Sequence, residues 1–330
     1  MSYVLGVDIG GTTIKLGVVE IGTGKIAAES SVPTPQTGSH PVAVVVTEQA
    51  HILQAAFPEL NRMGVGVPGA MNRDRSLVRY PPNLLGWKEE PLREYLAELL
   101  PSFLAIEVDN DAKVAAIAEA KLGAAQGLSH FLLVTLGTGI GGAIYFTQPS
   151  PNAGLEKAGE FIDRIYRGAS GGAGEFGHTS IDLNGPPCNC GSRGCIEAYL
   201  GQRYLSERTK QKLLNDLAIH SMLRDEEEEL TPKRIADAMN AGDRFAQSVF
   251  EEAGTLLGAA LANVANLLDM HVFILGGGVA EAGPVLFDSA LQSLRARVLA
   301  NLRPEVEIRK AQFGNRAGMI GAAMLVTGQP

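Results

Sequence analysis

The sequence is poor in cysteine, in basic charge and in unbroken apolar runs. It has only three cysteines, all between positions 188 and 195. An odd number excludes a complete intramolecular disulfide framework. Lys and Arg total 28 against 36 Asp and Glu, which gives a formal charge of −8 and a pI near 5.4. A nucleic-acid binder needs a basic face to displace phosphate counterions, so no nucleic-acid partner is expected. A small anion stays compatible, because backbone N–H groups bind one without Lys or Arg. The apolar stretch from Phe131 to Phe146 is interrupted by Thr135 and repeated glycines, whereas a spanning helix wants about 20 mostly apolar residues. The start runs directly into Tyr3-Val4-Leu5-Gly6-Val7-Asp8 without a basic segment or cleavage pattern. A cytoplasmic protein with no membrane partner is therefore expected. There is also no G-x-x-x-x-G-K-[ST] phosphate loop, and the glycines after Leu136 are followed by a predicted strand rather than the helix that the dinucleotide fingerprint needs.

What the chain does have is length, glycine and alternating patterns. Its 330 residues predict about two domains at roughly 150 residues each. Hydrophobic residues make up 45% and charged residues 19%, which is ordinary for a globular protein and too apolar for disorder. Strands are predicted over 3–9, 14–19, 63–67, 105–108, 131–136, 143–146 and 271–275. Helices are predicted over 41–56, 92–100, 111–122, around 157–165, over 202–268 with an amphipathic helix at 251–268, and over 317–326. Strands alternate with helices, so the class is α/β. The strand, Gly/Thr turn, strand plan of 3–19 recurs at 131–146 and points to an internally duplicated architecture. Asp225 to Glu229 is an acidic run, expected to be solvated.

Three predicted strands end in clustered glycines: Gly10-Gly11, Gly137 to Gly142 and Gly276 to Gly278. Glycine lets backbone N–H groups approach a ligand closely, and arrays of such groups bind anions. Any one cluster also reads as a plain hairpin turn; three, two of them with threonine, favour phosphate binding. Asp8 stands at the first turn, where a carboxylate either caps the turn or orients Mg²⁺, directly or through water. Asn110 and Asp111 lie where a strand becomes a helix. Asn110 reads as an N-cap. Asp111 either favours the positive helix end or serves as a base that takes a hydroxyl proton. The helix end is expected to lower its pKa, which is tolerable where positioning matters more than basicity.

His178 precedes Cys188, Cys190 and Cys195. Three thiolates and one imidazole complete a tetrahedral Cys₃His zinc set with no open position, so the metal is expected to be structural. Glu175 and Glu197 flank the cluster as carboxylates that zinc does not need.

These pieces resemble the ROK (repressor, ORF, kinase) sugar kinases, most of all their bacterial glucokinases. The resemblance rests on Asp8-Ile9-Gly10-Gly11-Thr12, Gly66-Val67-Pro68-Gly69, Pro82-Asn83-Leu84-Leu85-Gly86-Trp87, Asn110-Asp111-Ala112, Leu136 to Gly142, Gly174-Glu175-Phe176-Gly177-His178, the cysteine cluster with Glu197, and Gly276-Gly277-Gly278-Val279. The Gly-Thr turns are moderately specific; the His and Cys cluster between two glutamates is highly specific.

The resemblance implies an actin-like ATPase (ribonuclease H-like) fold, with two α/β domains around a cleft. The smaller would hold 1–109 and the C-terminal helix 313–330; the larger would hold 110–312 with the zinc loop 178–195. It implies ATP with Mg²⁺ and structural Zn²⁺. Nucleotide contacts would come from Asp8, Gly10, Gly11, Thr12, Lys15, Gly137, Thr138, Gly139, Gly276, Gly277 and Gly278. Asp111 would be the general base for phosphorylation of the 6-hydroxyl of glucose. Gly69, Asn83, Asn110, Asp111, Glu175, His178 and Glu197 would contact the sugar, His178 with one ring nitrogen on zinc. N-acetylmannosamine, N-acetylglucosamine and fructose are the rival substrates. A sugar-responsive transcriptional regulator is a remote alternative, because those relatives carry a helix-turn-helix ahead of the Asp-Gly-Gly-Thr turn. Homodimers or homotetramers are the implied assemblies. The chain departs from the family at 148–166, a longer connection expected to be a surface insertion.

Overall fold

The structure is a computed structural model that describes residues 2–146, 165–224 and 229–327. The first four residues of the acidic run, and nearly all of the predicted 157–165 helix and the 148–166 connection, lie outside the described residues. Strands are β1 (Tyr3–Ile9), β2 (Thr13–Glu20), β3 (Ile26–Pro33), β4 (Arg62–Val67), β5 (Ala70–Met71), β6 (Val78–Arg79), β7 (Glu89–Glu90), β8 (Ala105–Asn110), β9 (His130–Leu136), β10 (Ile140–Phe146), β11 (Val272–Gly276) and β12 (Glu307–Lys310). Helices are α1 (Ser39–Ala56), α2 (Leu92–Leu99), α3 (Asp111–Leu122), α4 (Glu197–Leu200), α5 (Gln202–Asn215), α6 (Pro232–Asn240), α7 (Arg244–Leu268), α8 (Pro284–Arg297) and α9 (Ala317–Met324).

The chain forms two compact units. The first contains Met1–Ser129, Ala143–Gly174 and Asn315–Pro330; the second contains His130–Gly142 and Glu175–Gly314. The expected boundary at 109/110 would put α3 in the second unit. Instead α3 belongs to the first, because it packs on α9: a Cβ on Gly321 of α9 would stand 1.7 Å from the Val114 carbonyl of α3.

The first unit carries a sheet in the order β3-β2-β1-β4-β8. β1 pairs antiparallel with β2 and parallel with β4, which pairs parallel with β8. Nearly all of β1 is buried, as expected of a strand covered on both faces. Leu5, Val7 and Ile9 join one core with Val42, Val46 and Leu53 of α1 and Leu92 and Leu96 of α2. Side chains alternate along a strand, so Gly6 faces the other way. There Gly6 and its register partner Gly64 form the seat of α9. A Cβ would stand 1.9 Å from the Met319 carbonyl at Gly6 and 1.7 Å from the Ala322 carbonyl at Gly64. Helix and sheet therefore meet backbone to backbone, which no larger residue allows.

The second sheet runs β10-β9-β11-β12, with β11 parallel to both β9 and β12. Its order reproduces β2-β1-β4-β8, so the repeated strand–turn–strand plan extends to whole sheets. Among its described residues, the predicted helical region 202–268 holds three α-helices and a short 3-10 turn at Met222–Arg224. α6 starts at a Thr231 cap with Pro232 in its first turn. α7 starts at Asp243, whose side chain accepts the Ala246 N–H at 3.0 Å.

Candidate active site

The parallel register brings the ends of three strands of the first unit together. Asp8 of β1 pairs with Gly66 of β4, which pairs with Asp109 of β8; Val67 pairs with Asn110. Ligands gather at such carboxyl ends in α/β sheets. The chain continues directly into α3, with the Asn110 Oδ1 capping Lys113 N–H at 3.1 Å. The Asn110 amide donates its two N–H bonds to the Gly69 carbonyl at 3.1 Å and to Asp111 Oδ1 at 2.9 Å. Any further contact of this side chain must therefore use its carbonyl oxygen.

Asp111 Oδ1 also accepts the Ala112 N–H at 2.8 Å. Both bonds land on Oδ1, and Oδ2 has no donor among the described residues. The expectation that the helix end lowers this pKa fails. Burial raises it, and the bonds from Ala112 and Asn110 only oppose that rise. A base gains from a pKa moved toward the operating pH.

Asp8 lies beside Lys15, its partner across the β1–β2 register. Burial and the nearby Asp111 charge push its carboxyl up to about 6, against the pull of Lys15. Its carboxylate rests on the backbone of Gly318 at the start of α9, where a Cβ would stand 2.6 Å from Oδ2. A cation would relieve this crowding of negative charge, so the donor chemistry suits Mg²⁺. The neighbouring turn is held from behind. Thr34 Oγ1 donates to the Gly10 carbonyl at 2.7 Å, Thr34 N–H to the Thr12 carbonyl at 2.9 Å, and Gln36 Nε2 to the Gly11 carbonyl at 2.8 Å. The Gly11 and Thr12 N–H groups have no partner among the described residues, as an anion site requires. Asn83 is exposed, with its backbone carbonyl against Gly11.

The residues that sequence reading missed here are an ionic clamp. Arg167 grips fully buried Asp109 with two bonds, 2.9 and 2.6 Å. Lys113 Nζ donates to the Gly171 carbonyl at 2.6 Å. Together they tie 167–171 to the strand–helix junction that presents Asp111. The 58-residue separations hid both pairings.

In the second unit, β9 and β11 end side by side, Thr135 paired with Gly276. Gly277 has φ +89 and lies so close to Leu136 that a Cβ would stand 2.4 Å from its carbonyl oxygen. The turns Gly137-Thr138-Gly139 and Gly276-Gly277-Gly278 thus adjoin. Thr138 is exposed, and the Thr138 and Gly139 N–H groups have no partner among the described residues.

His178, Cys188, Cys190 and Cys195 converge in the same unit, with one donor atom of each within 4.8 Å of the others. Cys188 Sγ is 3.7 Å from His178 Nδ1, and Cys190 Sγ is 3.7 Å from Cys195 Sγ. That is too long for a disulfide. It matches the edge of a tetrahedron with zinc–sulfur bonds of about 2.3 Å, about 3.75 Å. Burial pushes the Cys188 thiol up to about 12 and raises Cys195 as well. A metal is what would hold these groups as thiolates. The set fits zinc and leaves Nε2 of His178 for another partner. Tyr204 supports the loop by accepting the Asn189 N–H at 3.0 Å. Glu175 is exposed one turn before His178. Glu197 is 5% exposed and uses Oε2 to accept the Ile140 N–H at 2.7 Å.

No helix among the described residues is long and apolar enough to cross a membrane.

Comparison with known proteins agrees with this geometry. The ROK family pattern matches residues 4–329. Glucokinase of Halalkalibacterium halodurans is 35% identical over 344 residues, covering 99% of this chain and 96% of that one. The xylose repressor of Bacillus subtilis is 25% identical, covering 98% and 77%. The crystal structure of a ROK family glucokinase from Streptomyces griseus in complex with glucose and AMPPNP superposes with a TM-score of 0.80 at 33% identity, covering 98% of this chain and 99% of that one. The fold is the α/β actin-like ATPase fold. The chain belongs to the ROK family.

Proposed function

We propose that the protein is an ATP-dependent glucokinase that transfers the γ-phosphoryl group of ATP to the 6-hydroxyl of glucose, with Asp111 as general base. The observation that carries this reading is Asp111 itself. It offers one oxygen bound by two donors and one left open, with burial raising its pKa. Oδ1 is thereby fixed, and Oδ2 is the atom that takes the hydroxyl proton. The likeness to glucokinases supports the sugar.

The open N–H groups of Gly11, Thr12, Thr138 and Gly139 hold phosphate oxygens, with Gly10, Gly137 and Gly276 to Gly278 shaping the turns. Lys15 and Asp8 serve the same ligand. Mg²⁺, when bound with ATP, would supply charge neutralisation on the phosphates, and Asp8 is the residue to hold it. Gly69, Asn83, the Asn110 carbonyl oxygen, Glu175, His178 Nε2 and Glu197 bind hydroxyls of the sugar. Zinc in the Cys₃His set has a structural part. Cytoplasmic residence and a homodimer or homotetramer belong to the same reading.

The test is a coupled ADP-release assay with a panel of hexoses and N-acetylhexosamines. Glucose is expected to give the highest kcat/KM; preference for an N-acetylhexosamine or fructose overturns the substrate. Asp111→Asn should lower kcat about 10²–10⁴-fold while glucose binding persists. Turnover near the wild-type value in that variant would remove Asp111 from the role.

A further inference from the structure

The zinc cluster and the Gly137-Thr138-Gly139 turn are joined by one side chain. Glu197 stands two residues after the ligand Cys195, at the start of α4. Its Oε2 accepts the N–H of Ile140, the residue that follows the turn. The fit is tight, since a Cβ on Gly139 would stand 2.6 Å from the same oxygen. Two backbone contacts reinforce it. Gln202 N–H donates to the Gly137 carbonyl at 3.0 Å. On the other side, the helical turn ending at His178 presses against the same strand: a Cβ on Gly177 would stand 2.2 Å from the Ile140 carbonyl. The segments before and after the cluster thus both rest on Ile140, one of them through a charged hydrogen bond.

We infer that Glu197 is a positioning residue for the phosphate turn, through which metal occupancy of the Cys₃His cluster sets nucleotide affinity. Metal bound to His178 and Cys195 fixes both segments on Ile140. Glu197 then holds the Ile140 N–H, and the turn keeps the Thr138 and Gly139 N–H groups in place. Without metal the Glu197 backbone gains freedom and the turn loses this restraint. Glu197 therefore has a task apart from any sugar contact: one carboxylate oxygen is already spent on the turn. The inference deepens the proposed kinase reading and takes the identity of its ligand from it.

The test uses the full chain, metal-loaded and metal-stripped, with calorimetric titration of Mg²⁺·AMPPNP without sugar and of glucose without nucleotide. Stripping should weaken AMPPNP about tenfold, the order of one charge-assisted hydrogen bond. Glu197→Ala should lose the same factor when loaded and little more when stripped, because both perturbations remove one restraint. Glu197→Gln, which keeps a neutral acceptor, should stay within about threefold of wild type for AMPPNP. The inference is overturned if stripping and Glu197→Ala leave AMPPNP affinity unchanged and weaken glucose alone, or if their effects on AMPPNP multiply. Should Glu197→Ala fail to fold, amide exchange at Ile140 in the wild-type chain decides. Faster exchange without metal supports the coupling, and equal protection refutes it. If the loaded wild-type chain binds no AMPPNP at all, the kinase reading fails, while exchange at Ile140 still reports on the coupling.

Discussion

Replacing Asp8 by Asn should make the protein more stable, and increasingly so as pH rises. The Asp8 carboxyl has a pKa of about 6 in the folded chain against an ordinary 3.8, because burial and then the Asp111 charge disfavour its ionised form. A group with a raised folded pKa contributes stability that is complete below 3.8 and lost as pH rises through about 6. The shift corresponds to about 3 kcal/mol between the two limits, at about 1.36 kcal/mol per pH unit. At pH 5 about 1.4 kcal/mol of it remains, and at pH 8 essentially none. Asn has nearly the same volume and no charge to lose. The stability of Asp8→Asn relative to wild type should therefore grow by about 1.4 kcal/mol from pH 5 to pH 8. In a unit of this size that is a relative Tm gain of about 3–6 °C, measured by scanning calorimetry at matched ionic strength without nucleotide. On the proposed reading of Asp8 as the Mg²⁺ residue, the same variant should also lose Mg²⁺-dependent AMPPNP binding. A Tm difference that is flat between pH 5 and 8, or that falls, would refute this account of Asp8.

Two further substitutions test the scaffold behind the site. Among the described residues, Arg167→Leu leaves buried Asp109 with Arg75, at 3.9 Å, and the Asn110 N–H near it. Breaking such a pair should cost about 3–5 kcal/mol in urea unfolding, and a loss under 0.5 kcal/mol would show that Arg75 suffices. Gly64→Ala should cost at least about 1–3 kcal/mol, because its Cβ would lie 1.7 Å from the Ala322 carbonyl. Gly22→Ala, with nothing within 4 Å, is the matched control and should be nearly neutral in the same thermal melt.

What could be read in the sequence was what local pattern encodes. Asn110 was readable as a cap because its partner Lys113 N–H lies three residues on. The Cys₃His set was readable because its cysteines fall within eight positions. β3 escaped notice since Ile26-Ala27-Ala28-Glu29-Ser30-Ser31-Val32-Pro33 alternates between half-buried and exposed positions mostly with small or polar residues. α8 escaped notice too, its buried stripe being only Leu286, Ala290, Ser293 and Leu294. A helix end is visible in sequence and burial is not, so sequence alone points the Asp111 pKa the wrong way. Gly6 and Gly64 look like weak strand residues until α9, over 250 positions later, is laid across them.

The acid excess that argued against nucleic acid poses the harder question of how such a protein holds a triphosphate. On the proposed reading, the answer lies in where backbone polarity is left over. At Gly10 to Thr12 every carbonyl is bonded, two of them by Thr34 and one by Gln36, so the negative ends of these peptide dipoles are engaged. The N–H groups of Gly11 and Thr12 stay unpaired among the described residues. At Gly137 to Gly139, the Gly137 carbonyl is taken by Gln202 N–H and the Gly139 carbonyl by Gly137 N–H, and again two N–H groups are left. The first turn thus presents donors while all its acceptors are engaged from behind, and the second does so with the Gly137 and Gly139 carbonyls engaged, a local positive field that does not depend on net charge. The carboxylates of Asp8 and Asp111 would oppose an anion in the first unit; burial raises the pKa of both, and the Asp111 charge adds to the rise at Asp8. A divalent cation between carboxylate and phosphate reverses the sign of the interaction. For this reason nucleotide binding should depend on Mg²⁺ far more steeply in wild type than in Asp8→Asn, and Lys or Arg need not be numerous for the site to work.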